Sequence, residues 1–208
     1  MDTPEHTYCT AFEGYRRIAS GDLAQVVLKT KAVIDRGEKG PVLIFDDVTS
    51  EPIEVDFRGT SDDVLKRLPR APLTESATPE EPGPRGPGRP RLGVVAREVT
   101  LLPRHWHWLN DQPGGASVAL RKLVEEARRA NEGKDRIRRL QESAYKFMSA
   151  MAGNLPGFEE ATRALFAGNG GRFEELIGGW PKDIRSHLER LTKELLGSEI
   201  AATTADTP

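Results

Sequence analysis

A proline- and arginine-rich stretch from Pro69 to Arg91 limits the fold more than any other feature of the chain. Proline fixes the backbone angle φ and lacks an N–H donor, so neither a helix nor a central strand can continue through it. We therefore assign residues 69–92 as a linker between folded segments. Its first half carries glutamates and its second half carries arginines.

Residues 1–68 are predicted to form a small N-terminal α+β domain with the element order ββαββα. Two short strands flank Glu13-Gly14, which is typical of a hairpin turn. Apolar residues from Leu23 to Ile34 then recur at helical spacing. Pro41 to Phe45 is predicted to be the third strand. The remaining two elements are a fourth strand, in which Ile53, Val55 and Phe57 alternate with acids, and a short helix capped by Ser61, Asp62 and Asp63.

Residues 93–132 read as a strand followed by two helices. The strand candidate runs from Val94 to Leu102, and Pro103 is well placed to begin a helix. A turn at Pro113-Gly114-Gly115 ends this first helix, and Ser117 can cap the second. The second helix places Leu120, Leu123, Val124 and Ala127 on one face, and Gly133 weakens its continuation.

Residues 133–198 are predicted to be a helical C-terminal segment. An apolar stripe from Ile137 to Met151 indicates one helix. Three further helices, separated by glycine turns, are predicted at Phe158–Ala167, Arg172–Trp180 and Pro181–Leu196. Residues 199–208 are predicted to be a disordered tail.

Composition argues against several classes of protein. No apolar run approaches the roughly 20 residues that span a bilayer, and the N-terminus lacks a signal-peptide pattern, so we expect a cytoplasmic protein without membrane contact.

The single cysteine, Cys9, is expected to be a small strand residue. His105 and His107 lie two positions apart on a helix and cannot easily share a metal ion, so no metal or cofactor is expected.

We do not expect an enzyme, because the sequence contains no nucleophile–base pair and no metal-ligand spacing. Asp46-Asp47 follows a predicted strand, where catalytic acids can lie, but a solvated turn is the stronger interpretation.

The segment from Val94 to Ala130 resembles the ribbon-helix-helix superfamily of DNA-binding proteins. Arg97 to Pro103 is similar to its strand and first helix, and Gly115 to Ala127 is similar to its turn and second helix. The resemblance implies a homodimer whose two strands form a ribbon in the major groove, with the second helix directed at a phosphate. The DNA-contacting residues that it suggests are Arg97, Thr100, Ser117, Arg121 and Lys122. Glu98 would repel phosphate, and neither strand face carries a strong base reader.

The end of the linker, Gly86-Pro87-Gly88-Arg89-Pro90-Arg91, looks like the core of an AT-hook. Such an extended, narrow element can place arginine in the minor groove of A·T-rich DNA. This resemblance adds Arg85, Arg89 and Arg91 to the candidate DNA-binding residues. A solvated linker without any DNA contact is the alternative.

The chain from Tyr8 to about Leu196 also resembles the bacterial family called domain of unknown function 2239. The most recognisable runs are Pro103-Arg104-His105-Trp106, Pro113 to Ser117, and Ser149 to Gly168. This family implies no activity.

These patterns together predict a dimeric DNA-binding protein with a role in transcription regulation. The alternative is a dimeric protein–protein interaction adaptor that does not bind DNA, and an enzyme with its site in the N-terminal domain ranks last. An effector or a further protein partner for the flanking segments is left open.

Overall fold

The structure, a computed structural model, describes residues 8–37, 40–68, 95 and 97–203. Its secondary structure is mixed α+β, as predicted, with three strands near the N-terminus and helices in most of the rest. The strands and helices, in chain order, are β1 Tyr8–Glu13, β2 Arg16–Asp22, α1 Leu23–Asp35, β3 Val42–Asp46, α2 Ser61–Arg67, α3 Pro103–Asn110, α4 Gly115–Met151, α5 Phe158–Phe166, α6 Gly170–Ile177 and α7 Lys182–Thr203.

The chain divides into two compact units. The first unit contains residues 1–72 and 136–208, so it is assembled from both ends of the chain, and the second contains residues 73–135. The division predicted from the sequence treated residues 1–68 and 133–198 as separate segments. In the structure both contribute side chains to one core, and independent folding of either segment stays a prediction.

The first unit is built on an antiparallel sheet with the strand order β2-β1-β3. Because β1 is central and side chains alternate between the faces of a strand, its residues enter two different cores. Cys9 and Ala11 pack on one face with Val26 and Val27 of α1. Phe12 packs on the other face.

The second face of the sheet is covered by helices from the C-terminal part of the chain. Phe12, Phe45 and Phe147 form a cluster of rings with centroids 5.2 to 6.3 Å apart. Ile184 and Leu188 of α7 are completely buried in the same core. The predicted apolar stripe of the last helix, which also includes Leu191 and Leu195, is thereby confirmed.

The predicted fourth strand is wrong. Only Pro52 bridges to Phe45, and the Ile53 amide donates to the Ile44 carbonyl over 2.7 Å. Proline offers no N–H to a strand ladder, and the chain leaves the sheet edge after Ile53. Ile53, Val55 and Phe57 are nevertheless partly buried, against the core on the α1 side, so their alternation reports burial without strand pairing.

Three predicted boundaries also change. Val95 and residues 97–102 lie outside any strand, so the predicted Val94–Leu102 strand is absent among the described residues. Helix α4 runs through Gly133 without a break, because an exposed glycine weakens a helix by only about 1 kcal/mol. Helix α7 extends to Thr203, into the predicted tail, and residues 204–208 lie outside the described part.

The second unit contains α3 and the first part of α4. Pro103 begins α3, as predicted. Leu109 and Ala119 are its buried apolar side chains among the residues that the structure describes. Residues 69–94, which include most of the predicted linker, lie outside the described residues.

Candidate nucleic-acid interface

The turn between α3 and α4 depends on two glycines. Gly114 and Gly115 both have positive φ angles, of 87° and 75°, which residues with a Cβ rarely adopt. A Cβ on Gly114 would also approach the side chain of Val118 to 3.1 Å. The amide of Gly115 donates to the carbonyl of Gln112 over 2.9 Å, which closes the turn. Helix α4 therefore starts at Gly115, two residues before the predicted cap Ser117, which lies exposed in its first turn.

Two predicted cations lie directly after this start. Arg121 and Lys122 are exposed on α4, and the Arg121 Nε donates to the Ser117 carbonyl over 3.1 Å. They line a shallow surface depression with Val118, Glu125, Glu126 and Arg129. The amides in the first turn of a helix have no acceptor within the helix and attract anions. The structure therefore brings Ser117, Arg121 and Lys122 together in the first two turns of α4.

The positive charge continues along α4. At 100° per residue, Arg121, Lys122, Arg128 and Arg129 fall on one side of the helix, which we call the basic face. Glu125 lies within it and binds the Arg128 Nη2 at 2.9 Å and the Arg129 Nε at 3.2 Å. Hydrogen bonding to Arg128 lowers the pKa of Glu125, so this carboxylate stays charged and offsets one of the four cations.

Among the described residues, no carboxylate lies within ion-pairing distance of Arg121 or Lys122. The two cations nearest to the start of α4 are thus available to an anionic ligand.

The other predicted contact residues are less well supported. Arg97 and Thr100 are exposed but lie in irregular chain before α3, so they are not presented by a strand. Arg85, Arg89 and Arg91 lie outside the described residues. The structure therefore does not bring Arg97 or Thr100 onto a common surface element with Ser117.

The face of α4 opposite the basic face is apolar, and from Leu123 onward it is exposed within the chain. Ala116, Leu120, Leu123, Ala127 and Ala130 form this α4 stripe. Leu123 is 42% exposed, and its neighbour Val124 is 64% exposed. Trp108 of α3 is 51% exposed. The expectation that this segment needs a partner thus has a physical basis, since a single chain leaves its large apolar side chains in water.

A polar network in the first unit, with Thr10 and His187 buried and Arg190 exposed, was not predicted from the sequence. Asp47 accepts from the Thr10 hydroxyl at 2.7 Å and from both terminal nitrogens of Arg190, at 2.7 and 3.1 Å. Arg190 Nη2 also lies 3.2 Å from His187 Nδ1. Since arginine can only donate, His187 Nδ1 must accept and Nε2 carries the proton.

This network has the features of a structural clasp. His187 is completely buried, and its ring centre lies 4.2 Å from that of Phe147. Burial, followed by the nearby positive charge of Arg190, lowers the pKa of His187 to about 4. The imidazole of His187 is fully buried, so a small molecule cannot reach it directly. The network instead connects α7, through Arg190, to Asp47 in the loop after β3.

The sequence contained two separate signals for this network. Asp47 follows a strand, and His187 and Arg190 are three residues apart on one helix, a spacing that places them side by side. Nothing in one sequence connects the two signals across the intervening residues. Asp46 does form the expected turn, since it accepts from the amides of Val48 and Thr49.

The remaining polar candidates have structural roles. Cys9 is buried in β1, where burial and the nearby Asp47 raise the pKa of its thiol to about 12. The thiol is therefore a poor nucleophile at neutral pH. Among the described residues, no three His, Cys, Asp or Glu side chains are grouped closely enough to hold a metal ion.

Comparison with known proteins places the chain in a family. Residues 8–192 match the family model described as an uncharacterized protein conserved in bacteria (DUF2239), and the chain belongs to this family, as the resemblance indicated. No curated protein and no solved structure matches the chain. None of these comparisons supports the resemblance to ribbon-helix-helix proteins. In the part of the chain that the structure describes, no helix is both long and apolar enough to span a membrane.

Proposed function

We propose that the protein binds DNA as a homodimer and acts in transcription regulation. The observation that carries this proposal is the basic face at the exposed start of α4, where Arg121 and Lys122 follow Ser117 without an acidic partner. A helix start supplies amide donors and a partial positive charge, and two cations beside it suit a phosphate group. The arginines of the linker, which precede this segment in the chain, would add further contacts.

The proposed binding mode relies on the phosphate backbone. The irregular segment that contains Arg97 and Thr100 does not offer the strand that would present base readers in the major groove. Phosphate contacts position a protein on a duplex without reading its sequence. We therefore expect weak discrimination between sequences, apart from a modest A·T preference through Arg89 in the minor groove.

The test is a titration of fluorescein-labelled duplexes, followed by fluorescence anisotropy, at several salt concentrations. Log affinity should fall steeply with log salt, because each neutralised phosphate contributes about 0.9 to the slope. Replacing Arg121 and Lys122 with glutamine should reduce the slope by about two units per bound chain. The matched control replaces two exposed cations of the first unit, Lys29 and Lys66, with glutamine. This variant should leave the slope unchanged.

The linker arginines supply a second variant. Replacing Arg89 and Arg91 with alanine should lower the slope by roughly one to two units per chain and reduce any A·T preference. Replacing Thr100 should have less effect. Absence of binding to any duplex at ~50 mM salt, where phosphate contacts are strong, would overturn the proposal.

An adaptor without DNA binding is the second candidate. The exposed side chains of Trp108, Val124 and Leu123 favour it, because large apolar groups in water often mark protein-binding surfaces. An enzyme remains the third hypothesis. A stable dimer that ignores DNA at low salt would support the adaptor.

A further inference from the structure

The first half of α4 carries a heptad pattern. Ala116, Leu120, Leu123, Ala127, Ala130 and Lys134 follow one another at alternating steps of four and three residues. This spacing keeps one seam of a helix facing a second helix along its length and is the pattern of left-handed coiled coils. Of these six residues, Lys134 alone is charged.

The helix around this seam lacks support from its own chain. Every residue from Arg121 to Arg139 is exposed except Glu125 and Asp135, which are half-buried. Most helical stability in proteins comes from packing an apolar face against a neighbour, more than from the helix propensity of the sequence. The charged residues of the basic face lie away from the seam. The seam is therefore a surface that packing against another helix would stabilise.

We propose that this seam pairs with the same seam of a second copy, and that the two α4 helices run antiparallel about a point between Ala127 and Ala130. This proposal deepens the proposed function, because it rests on the homodimer and locates its contact surface. Alanine then faces alanine where the helices are closest, and Leu123 packs on the aliphatic stem of Lys134 from the partner subunit. The contact uses helices alone and needs no strand ribbon.

Lys134 selects this orientation by its charge. In a parallel pair the two Lys134 side chains would face each other across the seam, and like charges there repel. In the antiparallel pair Lys134 lies about one turn along the helix from the partner's Glu126, so the ammonium and carboxylate groups can meet at the edge of the seam. Charged residues beside a coiled-coil seam set partner choice and orientation in this way.

The antiparallel arrangement has a geometric consequence for DNA. Ser117 of one copy would lie about 35 Å from that of the other, because a helix rises 1.5 Å per residue. Each basic face lies opposite the seam, so in this pair the two basic faces point away from each other. Each α4 start would therefore contact DNA independently of the other, without bridging two turns of one duplex.

Sedimentation equilibrium of the full chain tests self-association. We expect a dimer for the native sequence and a monomer, with unchanged core stability, for Leu123→Asp. The matched control is Val48→Asp, an apolar-to-acid change at a residue that is 78% exposed in the first unit, and it should remain dimeric. A native chain that stays monomeric at all accessible concentrations would overturn the inference.

Cysteine cross-linking tests the orientation. A mixture of Ala127→Cys and Ala130→Cys chains should form a disulfide between the two variants, whereas each variant alone should cross-link poorly. A parallel pair would give the reverse, with efficient cross-linking of Ala130→Cys to itself, and would refute the antiparallel arrangement. Cys9 should not compete, because it is buried and the pKa of its thiol is raised to about 12.

A charge exchange tests the Lys134–Glu126 pair. Lys134→Glu should weaken the dimer, and adding Glu126→Lys should restore it. Lack of restoration would contradict the proposed register. Failure of the dimer leaves DNA binding by a monomer measurable in the anisotropy titration, and failure of DNA binding leaves the sedimentation result intact, so the two proposals are separable.

Discussion

The two ends of α4 carry apolar residues at the same helical spacing, but these residues are buried at one end and exposed at the other. Near its C-terminus, Ala144, Phe147 and Met148 are completely buried in the core of the first unit. Near its N-terminus, Leu123 and Val124 are largely exposed. A periodic stripe therefore shows that a helix face must be covered, but it does not show whether the same chain or another one covers it.

The largest expected effect lies in the buried end. Phe147→Ala should lower the free energy of unfolding by about 3–5 kcal/mol, because it removes a large side chain and leaves a cavity between Phe12 and Phe45. Urea denaturation followed by circular dichroism measures this change. A loss below about 1 kcal/mol would mean that the ring cluster is not a rigid core.

The pH dependence of stability should show the effect of burying His187 in its neutral form. Its pKa is about 4 in the folded chain and about 6.5 in an unfolded one, so the unfolded chain binds the extra proton in this range. The free energy of unfolding should be at its full value above pH 6.5 and should fall by about 2–3 kcal/mol as the pH drops towards 4. Arg190, Asp47 and Arg17 are the charged groups that act on the imidazole. The comparison uses His187→Phe, which should show a shallower loss over the same window.

Gly133→Ala tests the continuity of α4 between its two ends. Nothing lies within 4 Å of a Cβ at this position, and alanine is the better helix former, so unfolding should cost about 0.5–1 kcal/mol more. Thermal unfolding of the two proteins side by side gives the difference. Destabilisation would instead favour the helix break that the sequence suggested at Gly133.

The smallest effect should come from the exposed end. At concentrations low enough to keep the chain monomeric, Leu123→Ala should change unfolding by less than about 0.5 kcal/mol, as for other surface substitutions. The denaturation protocol used for Phe147 allows a direct comparison. A cost above about 2 kcal/mol in the monomer would show that the chain itself covers Leu123 and would remove the contrast between the two ends.

Much of the local structure was predictable from sequence. Pro103 begins α3, and Gly168, with a positive φ of 71°, lies in the turn between α5 and α6, as their residue types indicated. Such signals act within a few residues. The prediction of a fourth strand failed because the alternation of apolar and acidic residues indicates burial alone. The neighbouring strand that would pair with it must come from distant residues.

The candidate site was predictable to the same extent. Ser117, Arg121 and Lys122 lie together because helical spacing fixes their neighbours. The clasp of Thr10, Asp47, His187 and Arg190 joins distant parts of the chain, and no local pattern encodes such a contact. A role for Arg97 and Thr100 in base reading depended on a strand that the described residues lack.

The assembly of the first unit from both chain ends bears on biosynthesis. Phe12 and Phe45 emerge from the ribosome long before Phe147 and His187, their ring partners, have been synthesised. At about 5–20 residues per second, the nascent sheet waits roughly ten seconds or more with one hydrophobic face uncovered. Chaperone binding during translation should therefore be strongest on this early sheet and should end only when α7 has left the exit tunnel.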